Sequence, residues 1–140
     1  MNLFKTKNVD IKVEDVDEKS REVKIVLSKF DNVDNDGDII TKGAFKKSIS
    51  ERGPSSTSNR KIKYLRYHNF EHPIGVFKEL TETSEHLVAV GKLGTSTLGN
   101  NAFLDYKEGI ITEHSVGFQE IRDKIEVKGN FIIVLIFINL

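Results

Sequence analysis

The chain has 140 residues, with 21 basic and 21 acidic side chains and no cysteine. This length is typical of one domain, and we expect residues 1–140 to form a single one. The balanced charge provides no basic excess for nucleic acid or an anionic membrane, and the lack of cysteine excludes disulfides, zinc-thiolate sites and a thiol nucleophile. The N-terminus lacks the apolar run of a signal peptide, so we expect an intracellular protein.

The first part of the chain predicts strands and one short helix. Apolar and polar residues alternate over 8–16 and over 23–30, so we expect two strands joined by a turn. The inward positions of the second strand are expected to be Val23, Ile25, Leu27 and Phe30. A helix is predicted over 43–52, with Thr41 as its N-cap.

The second part predicts more strands and a longer helix. The helix is expected over 97–107, with Leu98, Ala102 and Tyr106 on one face and Gly109 as its C-cap. Further strands are predicted over 61–67, 76–80, 86–93, 110–121 and 131–138. About seven strands and two helices indicate an α+β domain with a mostly antiparallel, barrel-like sheet and both helices packed outside it. An open antiparallel sheet with the helices on one face is the alternative.

Two segments carry residue types suited to nucleophilic catalysis. Two histidines follow a predicted strand in 67–75, and a serine lies inside an apolar strand in 113–118. A serine hydroxyl needs a neighbouring imidazole to accept its proton, and the pKa of histidine lies near neutrality. His68 and Ser115 are therefore a candidate base and nucleophile, but the pair alone is a weak signal because such sites are defined by geometry. Strand alternation directs His114 away from Ser115, so we expect an exposed or structural role for it.

Residues 32–43 approximate a calcium-binding loop. Its first, third, fifth and sixth positions hold Asn32, Asp34, Asp36 and Gly37. The twelfth position, which needs a bidentate Glu, is Gly43, and the flanking segments do not predict two long helices. We interpret the segment as a hydrated turn and keep a small calcium-binding module as an alternative.

Five motifs follow one another along the chain. They are Ser28-Lys29-Phe30-Asp31, the stretch from Asp34 to Ile40 with Gly43-Ala44-Phe45, His68 with Pro73-Ile74-Gly75, Leu93-Gly94-Thr95, and His114-Ser115-Val116-Gly117-Phe118. Their order and gaps resemble the prohead proteases of tailed phages, serine proteases that mature the procapsid and are similar in fold to the herpesvirus maturational protease. The resemblance covers about 23–118, roughly two-thirds of the chain.

The resemblance implies a serine endopeptidase that works through an acyl-enzyme, with His68 as general base and Ser115 as nucleophile. The oxyanion hole is expected to consist of backbone N–H groups. The implied partners are the major capsid protein and its scaffolding segment, with self-cleavage, inside the procapsid in the cytoplasm of a bacterial host. No cofactor, metal, nucleic acid or membrane is expected to take part, and a homo-oligomer is left open.

The end of the chain departs from the family pattern. The family continues with a strand that bears an acidic residue, thought to orient the base, whereas residues 131–140 contain no acid. Asn139 lies about where that acid would fall, and its side chain can accept a histidine N–H without supplying negative charge. A truncation or a frameshift would explain this ending, and a natural end of the chain is the open alternative. A non-catalytic assembly or scaffold remnant of the same fold is the alternative function.

Residues 131–138 form an unbroken apolar run. A membrane-spanning helix needs about 20 such residues, so the run is too short to span. An exposed edge strand of this composition would be a template for aggregation. We therefore predict an interior core strand that pairs with the strand of Ser115 and brings Asn139 to the neighbourhood of His68.

Overall fold

The computed structural model describes residues 4–9, 15–32, 39–120 and 131–139. These ranges form eight strands and two helices: β1 Phe4–Val9, β2 Asp15–Asp17, β3 Glu22–Lys29, α1 Lys46–Arg52, β4 Lys63–Arg66, β5 Pro73–Glu82, β6 His86–Leu93, α2 Thr97–Lys107, β7 Glu113–Glu120 and β8 Phe131–Asn139. No helix within these ranges is long and apolar enough to cross a membrane.

The strands form one sheet in the order β1-β7-β8-β4-β5-β6-β3-β2. Six of the seven described strand pairs are antiparallel, and the exception is the parallel pair β4–β8. The predicted α+β class, with a mostly antiparallel sheet and two helices, is confirmed. The predicted barrel-like sheet is not closed by pairing of the described strands, because their ladder is open with β1 and β2 at its two ends.

The strand predicted over 8–16 is instead divided between two strands with different neighbours. β1 pairs with β7, whereas β2 pairs with β3 as the predicted hairpin. The β2–β3 turn is held by Asp17, whose Oδ1 accepts hydrogen bonds from the N–H groups of Lys19 and Ser20. Apolar and polar residues alternate in the same way in both strands, so the sequence pattern could not separate them.

The core lies on one face of β3, β5 and β6, covered by residues from both helical regions. The four inward positions predicted in β3 and directly after it are confirmed, since each is at most 4% exposed: Val23, Ile25, Leu27 and Phe30. The core side of β6 follows the same alternation, with Leu87, Ala89 and Leu93 buried. Burial of these apolar surfaces is the main source of stability.

The predicted bounds of α2 are confirmed. The C-cap is Glu108, one residue before the predicted Gly109. Gly109 follows it with a φ of +73° that suits glycine and donates its N–H to the carbonyl of Tyr106 at 3.1 Å. Of the three residues predicted on one face, Ala102 and Tyr106 are buried, whereas Leu98 is 36% exposed. Leu98 lies in the first turn, where it lines a surface cleft instead of the core.

Helix α1 begins at Lys46 and not at Gly43, and Thr41 is not its N-cap. Residues 42–45 form turns, and the amides before the helix are satisfied from another part of the chain. The carboxylate of Glu82, at the end of β5, accepts the N–H of Gly43 at 2.8 Å and that of Phe45 at 3.0 Å. A local capping pattern cannot reveal a cap from a residue so distant in sequence.

Candidate active site

Ser115 occupies an interior position of β7, and β8 lies between β7 and β4. Ser115 is in register with Phe137 of β8, which is in register with Leu65 of β4. Neighbouring strands are about 4.8 Å apart, so the backbones at Ser115 and Leu65 are separated by about 10 Å. The prediction that the C-terminal strand pairs with the Ser115 strand is therefore confirmed, and its place in the core stays a prediction.

The ends of β4 and β8 lie side by side at one end of the sheet. Arg66, the last residue of β4, is in register with Ile138, and Asn139 follows as the last residue of β8. His68 lies two residues beyond the end of β4. The backbone thus brings the positions of Asn139 and His68 to the same end of the sheet.

His68 lies in a turn with an unusual backbone. Tyr67 and His68 have φ values of 59° and 53°, and the N–H of Asn69 donates to the carbonyl of Arg66 at 3.1 Å. Two successive positive φ values are typical of a type I′ turn, which favours glycine or asparagine, whereas a bulky residue there is an outlier. Such conformations cost about 1–3 kcal/mol each and concentrate at functional sites. The hydrogen bond from the Arg66 N–H to the carbonyl of His72 closes the loop at 3.0 Å.

An ion pair anchors this turn to α2. The guanidinium Nη2 of Arg66 lies 2.7 Å from Oδ2 of Asp105, and the two side chains are only 14% and 26% exposed. The same guanidinium lies 5.3 Å from the ring centroid of Tyr67. The helix therefore fixes the residue at the start of the turn that carries His68.

The imidazole of His68 is in the protonation state that a base requires. Its side chain is half-buried, and burial lowers the pKa of His68 to about 4. A histidine with this pKa is neutral at pH 7, so one ring nitrogen has a lone pair that can accept a proton. Desolvation thus keeps the ring neutral at pH 7, and the same lowered pKa makes it a weaker proton acceptor than an ordinary histidine.

His114, beside Ser115 in sequence, is completely buried and hydrogen-bonded. Its Nε2 lies 2.9 Å from the hydroxyl of Tyr106, which lies 2.5 Å from the hydroxyl of Tyr64. Burial lowers the pKa of His114 to about 4, so this ring is neutral too. Of the two roles expected for His114, the structural one is confirmed, and it connects β7 to α2 and β4.

The hydrogen-bond chain selects one tautomer of His114. If the Tyr64 hydroxyl donates to Tyr106 and the Tyr106 hydroxyl donates to Nε2, only the His114 Nδ1–H lacks a partner among the described residues. The reverse direction would leave both the Tyr64 hydroxyl proton and the Nδ1 lone pair without partners in the described ranges. Unpaired buried donors are costly, so the first arrangement, with the proton on Nδ1, is favoured.

Glu113 is a residue that the sequence analysis did not single out. It is half-buried and in register with Asn139, and it precedes Ser115 by two positions in the same strand. Strand alternation assigns positions 113 and 115 to one face and positions 114 and 116 to the other. Its position two residues before Ser115 could have indicated Glu113 from the sequence. Its register with Asn139 is visible only in the structure.

The described residues contain no group of three or more His, Asp or Glu side chains that could hold a metal ion. The calcium-loop alternative depends on residues 33–38, which lie outside the described residues. It stays an untested alternative.

Two comparisons with known proteins indicate the same family. The family model described as caudovirus prohead serine protease matches residues 7–136. The chain is 33% identical over 101 residues to the prohead protease of Enterobacteria phage HK97, an alignment that covers 69% of this chain and 41% of that protein. The chain therefore spans about two fifths of that relative's length. No solved structure matches the chain, so similarity in fold to the herpesvirus maturational protease stays a prediction.

Proposed function

The chain belongs to the caudovirus prohead serine protease family, and from this premise we propose that it is a serine endopeptidase that cleaves capsid precursor and scaffolding segments during procapsid maturation. Its place of action would be the interior of the procapsid in a bacterial host. The observation that carries the proposal is the family match over 7–136. It favours a protease over a non-catalytic assembly protein, because the family is one of serine proteases.

Ser115 and His68 are the proposed nucleophile and general base. The Ser115 hydroxyl attacks the scissile carbonyl while His68 takes its proton, and the resulting imidazolium then donates that proton to the leaving amine. Water then hydrolyses the acyl-enzyme: His68 takes a proton from the attacking water and returns it to the departing Ser115 oxygen. The neutral state of His68 at pH 7, the strained turn and the register of β7, β8 and β4 support these roles. Backbone N–H groups are the proposed oxyanion donors.

A co-expression experiment tests this mechanism. The chain is expressed with the capsid precursor of the phage or prophage that encodes it, and processing is followed by mass spectrometry. We expect Ser115→Ala and His68→Ala to abolish cleavage. Ser84→Ala, at an exposed serine in the β5–β6 turn, is the matched control and should cleave normally. Unchanged processing by Ser115→Ala would remove the proposal.

The third member of the site is proposed to involve both Asn139 and Glu113. Asn139 can accept the His68 N–H, and Glu113, in register with Asn139, would supply the negative charge that stabilises the imidazolium. Register supports this assignment because both positions lie at the end of the sheet where β4 ends.

Three variants separate the two contributions. If Glu113 supplies the charge, Glu113→Gln should lower kcat by at least tenfold, and adding Asn139→Glu should restore part of the loss. If Asn139 acts alone, Glu113→Gln should leave kcat unchanged and Asn139→Glu by itself should raise it. Circular dichroism confirms that each variant is folded. A null effect of all three variants would place the third residue elsewhere.

A further inference from the structure

A cleft of about 450 Å³ lies between the outer face of α2 and the turn that carries His68. We call it the α2 cleft. The helix contributes Leu98 and Leu104, its C-cap contributes Glu108, and the turn side contributes Arg66 and Tyr67. Leu98 and Glu108 are ten residues apart, which corresponds to about 15 Å along a helix. An extended peptide rises about 3.3 Å per residue, so the cleft matches four to five residues of substrate.

Three large apolar side chains are exposed along this cleft. Tyr67 is 49% exposed, Leu104 is 45% exposed and Leu98 is 36% exposed. Single exposed apolar residues are common on protein surfaces, but several that converge in a concave site with a few polar groups indicate a binding site. Tyr67 also has a positive φ that is unfavourable for an aromatic residue. The fold thus maintains a strained backbone at Tyr67, although about half of this side chain is exposed to solvent.

The charge of the cleft is not balanced. Arg66 and Asp105, which both line it, neutralise one another through their ion pair. Glu108 is exposed and forms no ion pair within the part of the chain that the structure describes. The cleft is otherwise of mixed character, with His72 and Asn101 beside the three exposed apolar side chains. An uncompensated carboxylate at one end of such a groove favours a basic group on the occupant.

We infer that the α2 cleft is a substrate subsite that binds an extended peptide with a large apolar side chain next to a lysine or arginine. The apolar side chain contacts Tyr67, Leu98 and Leu104, and the basic side chain lies opposite Glu108. The inference rests on the proposed function, because it assigns the occupant as the substrate chain beside the scissile bond. Tyr67 directly precedes His68, so an occupant of the cleft lies next to the proposed base.

Peptide binding to the Ser115→Ala protein tests the subsite without cleavage. The probes are three fluorescein-labelled ten-residue Gly-Ser peptides that carry Leu-Lys, Leu-Glu or Ser-Lys at their centre, and the readout is fluorescence anisotropy. We expect the Leu-Lys peptide to bind at least tenfold more tightly than either of the others. Leu104→Asp should weaken its binding at least tenfold, whereas Ile110→Asp, at a residue that is 51% exposed outside the cleft, should not. Glu108→Lys should reverse the preference in favour of Leu-Glu.

Equal affinity for the three peptides, or for the Leu104→Asp and Ile110→Asp proteins, would overturn the subsite. A change of oligomeric state in Leu98→Asp, measured by light scattering, with unchanged peptide binding would identify the cleft as a contact between copies of this chain and would also overturn it. Processing of the capsid precursor separates the two proposals. Selective peptide binding by a chain that cleaves nothing supports a peptide-binding cleft and contradicts the proposed function, whereas unchanged cleavage by Leu104→Asp supports the function and contradicts the subsite.

Discussion

Acid should destabilise the fold through His114. The pKa of this fully buried ring is lowered to about 4, whereas an unfolded histidine titrates near 6.5. Between these two values the unfolded state binds the additional proton, so stability is fully present above about pH 6.5 and is lost as the pH falls towards 4. A difference of this size corresponds to about 3 kcal/mol, with a slope that approaches about 1.4 kcal/mol per pH unit near the middle of the window.

Urea unfolding of the wild type and of His114→Gln at pH 7, 6, 5 and 4, followed by circular dichroism, measures this contribution. The glutamine amide can still bond to the Tyr106 hydroxyl but does not titrate, so the loss of stability on acidification should be smaller in the variant by about 3 kcal/mol. Carboxylates and His68 titrate in both proteins, so their contributions cancel in the difference. Parallel stability curves for the two proteins would refute the reasoning.

Three further substitutions test the packing around the site. Gly91→Ala would place a Cβ where the ring of Tyr64 lies, and this should cost about 1–3 kcal/mol, measured as a lower Tm by calorimetry; an unchanged Tm would mean that the ring moves freely. Asp105→Asn removes the charge that pairs with Arg66 and should lower stability by roughly 1–3 kcal/mol in urea titrations, with a smaller effect expected if the pair is fully solvated. Glu82→Ala removes both acceptors before α1 and should cost about 0.5–2 kcal/mol, with faster amide exchange of residues 43 and 45 as the specific sign.

Local patterns predicted the parts of the fold that depend on local physics. The bounds of α2 and the inward positions of β3 follow from periodicity, and Gly109 follows the C-cap of the helix with a positive φ that suits glycine. The start of α1 was not predictable, because its amides are held by Glu82 from a distant strand. The division of 8–16 between two strands depends on which neighbour each one finds, and alternation does not encode that choice.

For the candidate site, the sequence indicated residue types but not their arrangement. Ser115 and His68 were selected by motif order, and they remain a proposal. The burial of His114 and its bond to Tyr106 were not predictable, because the partner lies on a helix that only the fold brings near. The register of Glu113 with Asn139 likewise depends on how β8 pairs.

The position of β8 explains the composition of the C-terminal run. Strand β8 pairs with β7 on one side and with β4 on the other, so it has no free edge, and such a strand tolerates a continuous apolar sequence. The first polar residue after that run is Asn139, where the strand reaches the end of the sheet near the His68 turn. The change from apolar to polar therefore coincides with the point where the strand reaches the proposed site. Strand β8 joins β7, which contains Ser115, to β4, which ends two residues before His68, so the pairing of β8 fixes how the backbone segments of the two proposed catalytic residues are placed in the sheet.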